Sequence, residues 1–362
     1  VPKLELLIDK QAWSGWTSIR VVRSIKQAAN TFDLELTDRW ATSDVIKSIW
    51  ADSDTIRAIR DDAPCQVLID GEVVISGYIF EIMPNYDAES HSIAVSGLSA
   101  AADLIDCSLK GQQFNGRTLL QIANDLAKPF GIAVAAEADI GGPFGKVALE
   151  AGQSIFEFLE ELSRIRGVRL VSKADGSIAF IKTGTDVAPT SLIYGQNILK
   201  GAGRFSSSDR FSDYRVVAQS SGTDLFHGES AAHAEALIQD LNLRYRPKCI
   251  IAEGSAYNKH CKIRGLSEMN RRAGEGRSMS FTVQGWRHAQ GLWEPNMLVD
   301  VDDPLMNKRD RLLISQVTFS VDNQGGNTTT LEVAPKEAFD LEPMPEPTGK
   351  KNSGWSGQWK EY

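Results

Sequence analysis

Phe32-Asp33-Leu34-Glu35-Leu36-Thr37 switches between apolar and polar at every step. A period of two puts Phe32, Leu34 and Leu36 on one face of a half-buried strand, which no helix can do. Ile19, Val21 and Ile25 give a weaker form of the same pattern just upstream. Downstream, Val67-Leu68-Ile69 and Val73-Val74-Ile75 flank Asp70-Gly71. Asp-Gly between β-branched runs is a hairpin signal, because the turn requires positive φ. The second arm continues through Gly77 to Phe80 and Ile82, and Ile93-Ala94-Val95 follows after a polar stretch. Many short strands with turns between them point to a sandwich or barrel.

From about residue 101 to 185 the pattern changes. Leu119, Ile122, Ala123 and Leu126 share one helical face, and Pro129 follows its end. Ser154 with Glu157 forms a capping box ahead of the apolar stripe Ile155, Phe158, Leu159 and Leu162, and Gly167 is a natural stop. Val168-Arg169-Leu170 and Ile178-Ala179-Phe180 flank Asp175-Gly176, a second hairpin candidate. Beyond a Gly- and Ser-rich stretch, Gly201 to Ser208, Arg215 to Ala218 reads as a strand. Glu229 to Arg246 reads as a helix, with Ala234, Leu237, Ile238, Leu241 and Tyr245 on one face. A further helix carries Ile263, Leu266, Met269 and Ala273. Strands resume at Phe281–Val283, Leu298–Val301, Leu312–Val321 and Thr330–Val333, and Pro343 to Tyr362 reads as a tail.

At 362 residues the chain is expected to hold two or three domains, given roughly 100–200 residues for each. Hydrophobic residues at 42% and charged residues at 24% are globular values. The net charge of −8 argues against gripping nucleic acid by its phosphates, which needs clustered cations. It leaves room for a protein that lets nucleic acid pass. Cys65, Cys107, Cys249 and Cys261 are far apart and form no C-x-x-C pair, so neither a zinc site nor a secreted disulfide framework is expected. Val1-Pro2-Lys3-Leu4-Glu5 lacks a signal-peptide pattern, and no apolar run approaches the roughly 18 residues of a membrane span.

Val73 to Ile82 has an echo in Leu312 to Val321: Ile75, Ser76 and Phe80 match Ile314, Ser315 and Phe319 at one offset of 239. A polar turn and a short strand follow both. Two copies of one β module in a chain would suggest pseudo-symmetry in an assembly.

Val67 to Ile79, then Asn85-Tyr86-Asp87, Ser96-Gly97-Leu98 and Asp103-Leu104, resemble the baseplate hub proteins of Mu-like contractile-tailed phages. The order of the later elements is similar too, so the resemblance covers nearly the whole chain. It implies a mainly β fold with α+β parts: two tube-like β-barrel domains, a small α+β domain and a helical insert. The first barrel is then expected over 1–100, the α+β domain over 101–200, and the second barrel over 201–222 and 278–340. The helical insert falls over 223–277 and the tail over 341–362. The family implies a homotrimer in which three chains give a quasi-six-fold ring around a channel. Its partners are the tail tube protein, the central spike protein and other baseplate proteins, with DNA only in transit. The implied location is the virion baseplate, assembled in the bacterial host cytoplasm. Type VI secretion spikes share the hub fold.

No catalytic, cofactor or metal residue is expected. His227 and His233 are six apart, the wrong spacing for one helical face, and H-E-x-x-H is absent. Gly141 to Val147 lacks the first Gly and the final Ser or Thr of a phosphate loop. Gly201 to Ser206 has two of three dinucleotide-fingerprint glycines and reads as a linker. Gly97 to Ala101 is a degraded nucleophile elbow in which Ser99 is expected to serve a turn or cap. Lys259, Lys262, Arg264, Arg271 and Arg272 form a basic cluster, read as a solvated or subunit-facing helix surface. Carboxylates are abundant, so a second reading stays open: a tail-associated cell-wall hydrolase with an unrecognised carboxylate pair. Under the first reading the channel wall is expected to be neutral to acidic. Trp355, Trp359 and Tyr362 are expected to anchor the tail in a partner's pocket or to fold back onto a barrel.

Overall fold

The computed structural model describes residues 3–38, 59–86, 91–219, 233–251, 258–322 and 326–341. The chain begins with β1 (Leu4–Ile8), β2 (Gln11–Trp13), β3 (Ser18–Ser24), β4 (Thr31–Asp38), β5 (Pro64–Ile69), β6 (Glu72–Tyr86) and β7 (His91–Ser99). The alternation seen in the sequence is realised in β4, where Phe32 and Leu34 are buried and Asp33 and Glu35 exposed. Asp70 and Gly71 both take positive φ at the hairpin between β5 and β6.

An α+β unit follows, with short helices and the strands β8 (Gln112–Asn115), β9 (Val134–Ala136), β10 (Lys146–Leu149), β11 (Arg169–Ser172) and β12 (Ile178–Ile181). Its two principal helices, Leu119–Ala127 and Ile155–Arg166, bury the apolar stripes read from the sequence. Both begin with a complete capping box, Thr118 with Gln121 and Ser154 with Glu157. Gly167 closes the second helix in the left-handed conformation.

The rest of the chain supplies β13 (Asp186–Val187), β14 (Leu192–Ile193), β15 (Ile198–Phe205), β16 (Asp213–Gln219), β17 (His233–Gln239) and β18 (Pro247–Ile251). After the helix Asn258–Glu275 come β19 (Arg277–Gln284), β20 (Arg287–His288), β21 (Gly291–Leu292), β22 (Met297–Asp303), β23 (Lys308–Asp322) and β24 (Gly326–Ala334). Two sequence expectations fail here. Where a helix is expected over Glu229–Arg246, the described residues from His233 onward form β17 followed by a turn at Asp240. Ala234, Ala236 and Ile238, two apart, face the helix Asn258–Glu275, while Leu237, Leu241 and Tyr245 are exposed. The linker expected at Gly201 is the strand β15. A Cβ at Gly201 would lie 2.9 Å from Met306 Cε, so its glycine serves close packing and not freedom.

One 14-stranded sheet dominates, in the order β15-β19-β24-β23-β3-β4-β7-β6-β5-β1-β2, with β22, β13 and β14 branching from β23. Within it the order β5-β6-β7-β4-β3 is repeated by β22-β23-β24-β19-β15, every neighbouring pair antiparallel. β6 and β23 both have 15 residues, and β7 and β24 both have nine. Both long strands carry a bulge, at Phe80 in β6 and at Ser315 in β23. The two sets join where β23 pairs with β3, and one core, from Leu4 to Val333, runs beneath both. The mainly β character holds. Among the described residues the strand path runs from β15 to β2 without closing into a barrel. β16 joins neither strand set, pairing with β17 and β18 in a separate sheet under the helix Asn258–Glu275.

The bulges also correct the sequence echo. They align at an offset of 235 (315 − 80), not 239. Ile79 and Ile82, three apart, both turn toward the core because Phe80 is the extra residue between them. Phe80 is consequently exposed while Phe319, its partner in the echo, is fully buried.

Candidate functional site

The sheet has a buried face and a polar one. Across six strands, paired residues carry the same chemistry on the side away from the core. Thr282 faces Thr330, which faces Thr318. Gln284 faces Thr328, then Ser320, Arg20, Asp33 and Ser96 in turn. Thr282 and Thr330 share a hydroxyl hydrogen bond of 3.1 Å. The Ser96 hydroxyl donates to Asp33 at 2.9 Å, and Arg20 reaches the other oxygen of Asp33 at 3.4 Å. Lys26 pairs with Glu332 at 2.9 Å. On this face Arg20 stands opposite Asp33, Lys200 and Arg204 stand opposite Thr282 and Ser278, and Glu35, Glu81 and Glu332 stand opposite Ser18, Ser96 and Gln316. Among the described residues it is hydroxyl-rich, nearly balanced in charge and without a basic cluster.

At one end of this face the α+β unit is fastened by buried polar groups. Asn30 N–H and the Ser172 hydroxyl both donate to Ser99 Oγ at 3.0 Å. Ser24 N–H donates to Asn30 Oδ1, and the Ser24 hydroxyl to the Ser315 carbonyl. β3, β7, β11 and β23 thus meet through one satisfied network. Ser99 is fully buried and held by hydroxyl and amide partners, a joint and not a nucleophile.

The other sequence candidates are also accounted for by packing. In the Gly141 loop, Gly141 N–H donates to Asp139, and Arg166 donates to the Gly142 carbonyl while stacking 4.1 Å over Phe144. A carboxylate occupies the place where a phosphate loop would offer free N–H groups. In the basic cluster, Arg271 and Arg272 converge on Glu268 at 3.0 and 2.7 Å, and Arg271 also pairs with Glu275. Burial pushes the Glu268 carboxyl up, but the hydrogen bonds from Arg272 and Arg271 outweigh it and hold the group below its ordinary value. Lys262 and Arg264 are exposed on the same helix. His227 lies outside the described residues, as do the side chains of His233 and Lys259 and the whole tail from 342. Among the described residues no three His, Cys, Asp or Glu side chains gather as metal ligands. No described helix is long and apolar enough to cross a membrane.

Carboxylates were the remaining route to an enzyme. A cleft of about 480 Å3 between the first strand set and the α+β unit is lined by Asp9 and Asp175, among others. A hydrogen bond from the Ser177 hydroxyl holds Asp175 below the ordinary range, the wrong direction for a general acid. Asp103 is raised, by burial and then by Asp62 and Asp106, but it does not line that cleft.

Three family models match in chain order: the N-terminal domain of Mu phage baseplate assembly protein GpP-like proteins over 3–99, the second domain of baseplate hub protein gp44-like proteins over 101–182, and the fourth domain of Mu phage GpP over 258–342. The baseplate hub protein gp44 of Escherichia phage Mu is 32% identical over 346 residues, 92% of this chain and 88% of that protein. The chain belongs to the Mu-like baseplate hub family. The hub fold matches the crystal structure of the prophage MuSo2 43 kDa tail protein from Shewanella oneidensis with a TM-score of 0.82 and 33% identity, covering 94% of this chain and all of that one. An E. coli component of the type VI secretion system, described as similar to T4 tail proteins gp27 and gp5, has the same fold at 12% identity. Its TM-score is 0.54, over 94% of this hub and 80% of that chain. What the sequence reading missed is the polar sheet face, because its hydroxyls lie on six strands drawn from both ends of the chain.

Proposed function

We propose that this hub assembles as a homotrimeric ring that joins the tail tube to the central spike and leaves a channel for DNA. One observation carries the reading: two strand sets of the same order lie side by side in one continuous sheet. Three copies would then present six similar positions to a six-fold tube while keeping three-fold symmetry toward a spike. The polar face is the natural channel wall. Phosphates are held by clustered Lys and Arg and released by salt; hydroxyl rows and matched ion pairs let them slide. The wall is accordingly neutral to slightly acidic.

The units we infer are the first strand set, the α+β unit, the second strand set and the insert, to which Asp213–Gln219 is assigned. The hub does no chemistry of its own; the carboxylate geometry above favours no hydrolase. Its other partners are further baseplate proteins, and its place is the virion baseplate, after assembly in the host cytoplasm. Negative-stain images of the purified protein test the reading. Rings with an open centre are expected, with no retention of double-stranded DNA at low salt. Compact particles without a centre, salt-dependent DNA binding, or turnover of peptidoglycan would overturn it.

A further inference from the structure

The insert leaves the second strand set through the loop 206–212, and arginines pin that loop. Arg246 donates to the Ser207 and Ser208 carbonyls at 2.7 and 2.8 Å, and Arg272 to the Asp209 carbonyl at 3.2 Å. Main-chain bonds add to this: Ser206 N–H donates to the Gly276 carbonyl, and Ser212 N–H to that of Arg246. The loop thereby presents Phe211, whose N–H donates to the Tyr214 hydroxyl at 3.1 Å. Three cations stand over its half-buried ring: Lys248 Nζ at 4.9 Å from the centroid, Arg246 at 5.3 Å and Arg272 at 5.4 Å. A ring has two faces, so at least two of the three share one. Cations gathered this closely repel one another unless anions answer them. The neighbouring carboxylates are engaged elsewhere. Glu268 takes Arg272 and Arg271, Asp240 takes Arg210 at 2.6 Å, and Asp213 accepts from Ser212 and Gln239. Asp209 accepts from the Ser208 hydroxyl. Among the described residues neither Arg246 nor Lys248 has a carboxylate partner: Arg246 gives two N–H groups to carbonyls and keeps others to donate, and Lys248 is met by the ring.

We propose that Arg246, Lys248 and the Phe211 ring form a receptor for carboxylates on an acidic peptide segment of another protein. The site does not depend on the ring reading above. Its guanidinium is already held in place, so little ordering remains when a carboxylate meets its fork. Leu241 and Tyr245, on the turn that leads into Arg246, are 87% and 81% exposed and offer apolar surface to the side chains beside those carboxylates. Arg244, exposed on the same turn, extends the positive charge. Two observations select a peptide of another protein. Nucleic acid is held by cations spread along a run of phosphates, whereas these converge on one ring. The chain's own residues 342–362 carry three Glu and three Lys, so they lack the complementary charge.

Binding of dye-labelled hexaglutamate to the full chain, read by fluorescence anisotropy at low salt, tests the site. The chain carries −8 overall and repels a polyanion at long range, so binding reports a local site. Saturable binding that weakens with added salt is expected. Lys248→Ala should weaken it about fivefold and Lys248→Glu about tenfold or more, with the melting temperature unchanged. Lys262→Ala removes the same charge from an exposed position on the helix Asn258–Glu275 and should change binding by less than about twofold. No binding by the wild type, or equal losses from Lys248→Ala and Lys262→Ala, would overturn the proposal. Tighter binding of short single- or double-stranded DNA that is lost in Lys248→Ala would also overturn it, assigning the cations to phosphates. Hexaglutamate binding by a protein that forms no rings would contradict the ring reading and leave this site standing.

Discussion

Phe319 and Phe80 carry the same side chain into opposite surroundings, and single substitutions should separate them. Phe319 is fully buried against Trp286, with ring centroids 6.4 Å apart. Phe319→Ala should cost about 3–5 kcal/mol of stability in denaturant titration, the usual loss for a buried ring. Phe80→Ala, at an exposed bulge, should cost under about 1 kcal/mol. Equal losses would mean that the bulge is misplaced. Glu268 gives a pH-dependent counterpart. Its folded value is depressed by the two arginines, so its stabilisation is present above the ordinary value of 4.5 and is lost as pH falls below it. Glu268→Gln should lower stability at pH 7 by about 1–3 kcal/mol. The difference between wild type and variant should shrink as both are titrated into acid. A difference that does not change with pH would contradict the ion-pair account.

Among the elements, those governed by local chemistry could be read from the chain. The capping box at Ser154 and the left-handed stop at Gly167 stand where the residues placed them, because both signals act within one turn. β17 shows where that reasoning gives out. Ala234, Leu237, Ile238 and Leu241 fit a helical period, yet pairing with β16 and cover from the helix Asn258–Glu275 select the period of two. Glu235 then reaches Arg215 across the strands at 3.0 Å. β15 was hidden for a related reason: its glycines fit against Met306 and Phe281, which lie far along the sequence. Gly97 makes the same kind of close approach in β7. A Cβ there would come within 2.3 Å of the Phe32 ring and 2.5 Å of the Tyr78 carbonyl. Gly97→Val should therefore destabilise the first strand set by about 1–3 kcal/mol or more, read as a lowered melting temperature. An unchanged melting temperature would mean that β4, β6 and β7 are not packed this tightly.

For the whole molecule, composition spoke only to what the protein does not grip. The net charge of −8 does not say where charge sits; the polar face came into view only when strands from both ends of the chain were paired. Beyond residue 341 the chain runs through a Pro-rich stretch to three large aromatics. Deleting residues from Lys350 onward, with Trp355, Trp359 and Tyr362, should leave the oligomer and its melting temperature intact. It should also weaken attachment to the spike or another baseplate protein in a pull-down. Loss of the oligomer, or unchanged attachment, would contradict the docking role. The central claim is that three copies close one ring. Sedimentation equilibrium of the full chain at micromolar concentration tests it most directly. The account predicts a single species of three times 39.7 kDa, about 119 kDa; a monomer across that range would contradict it.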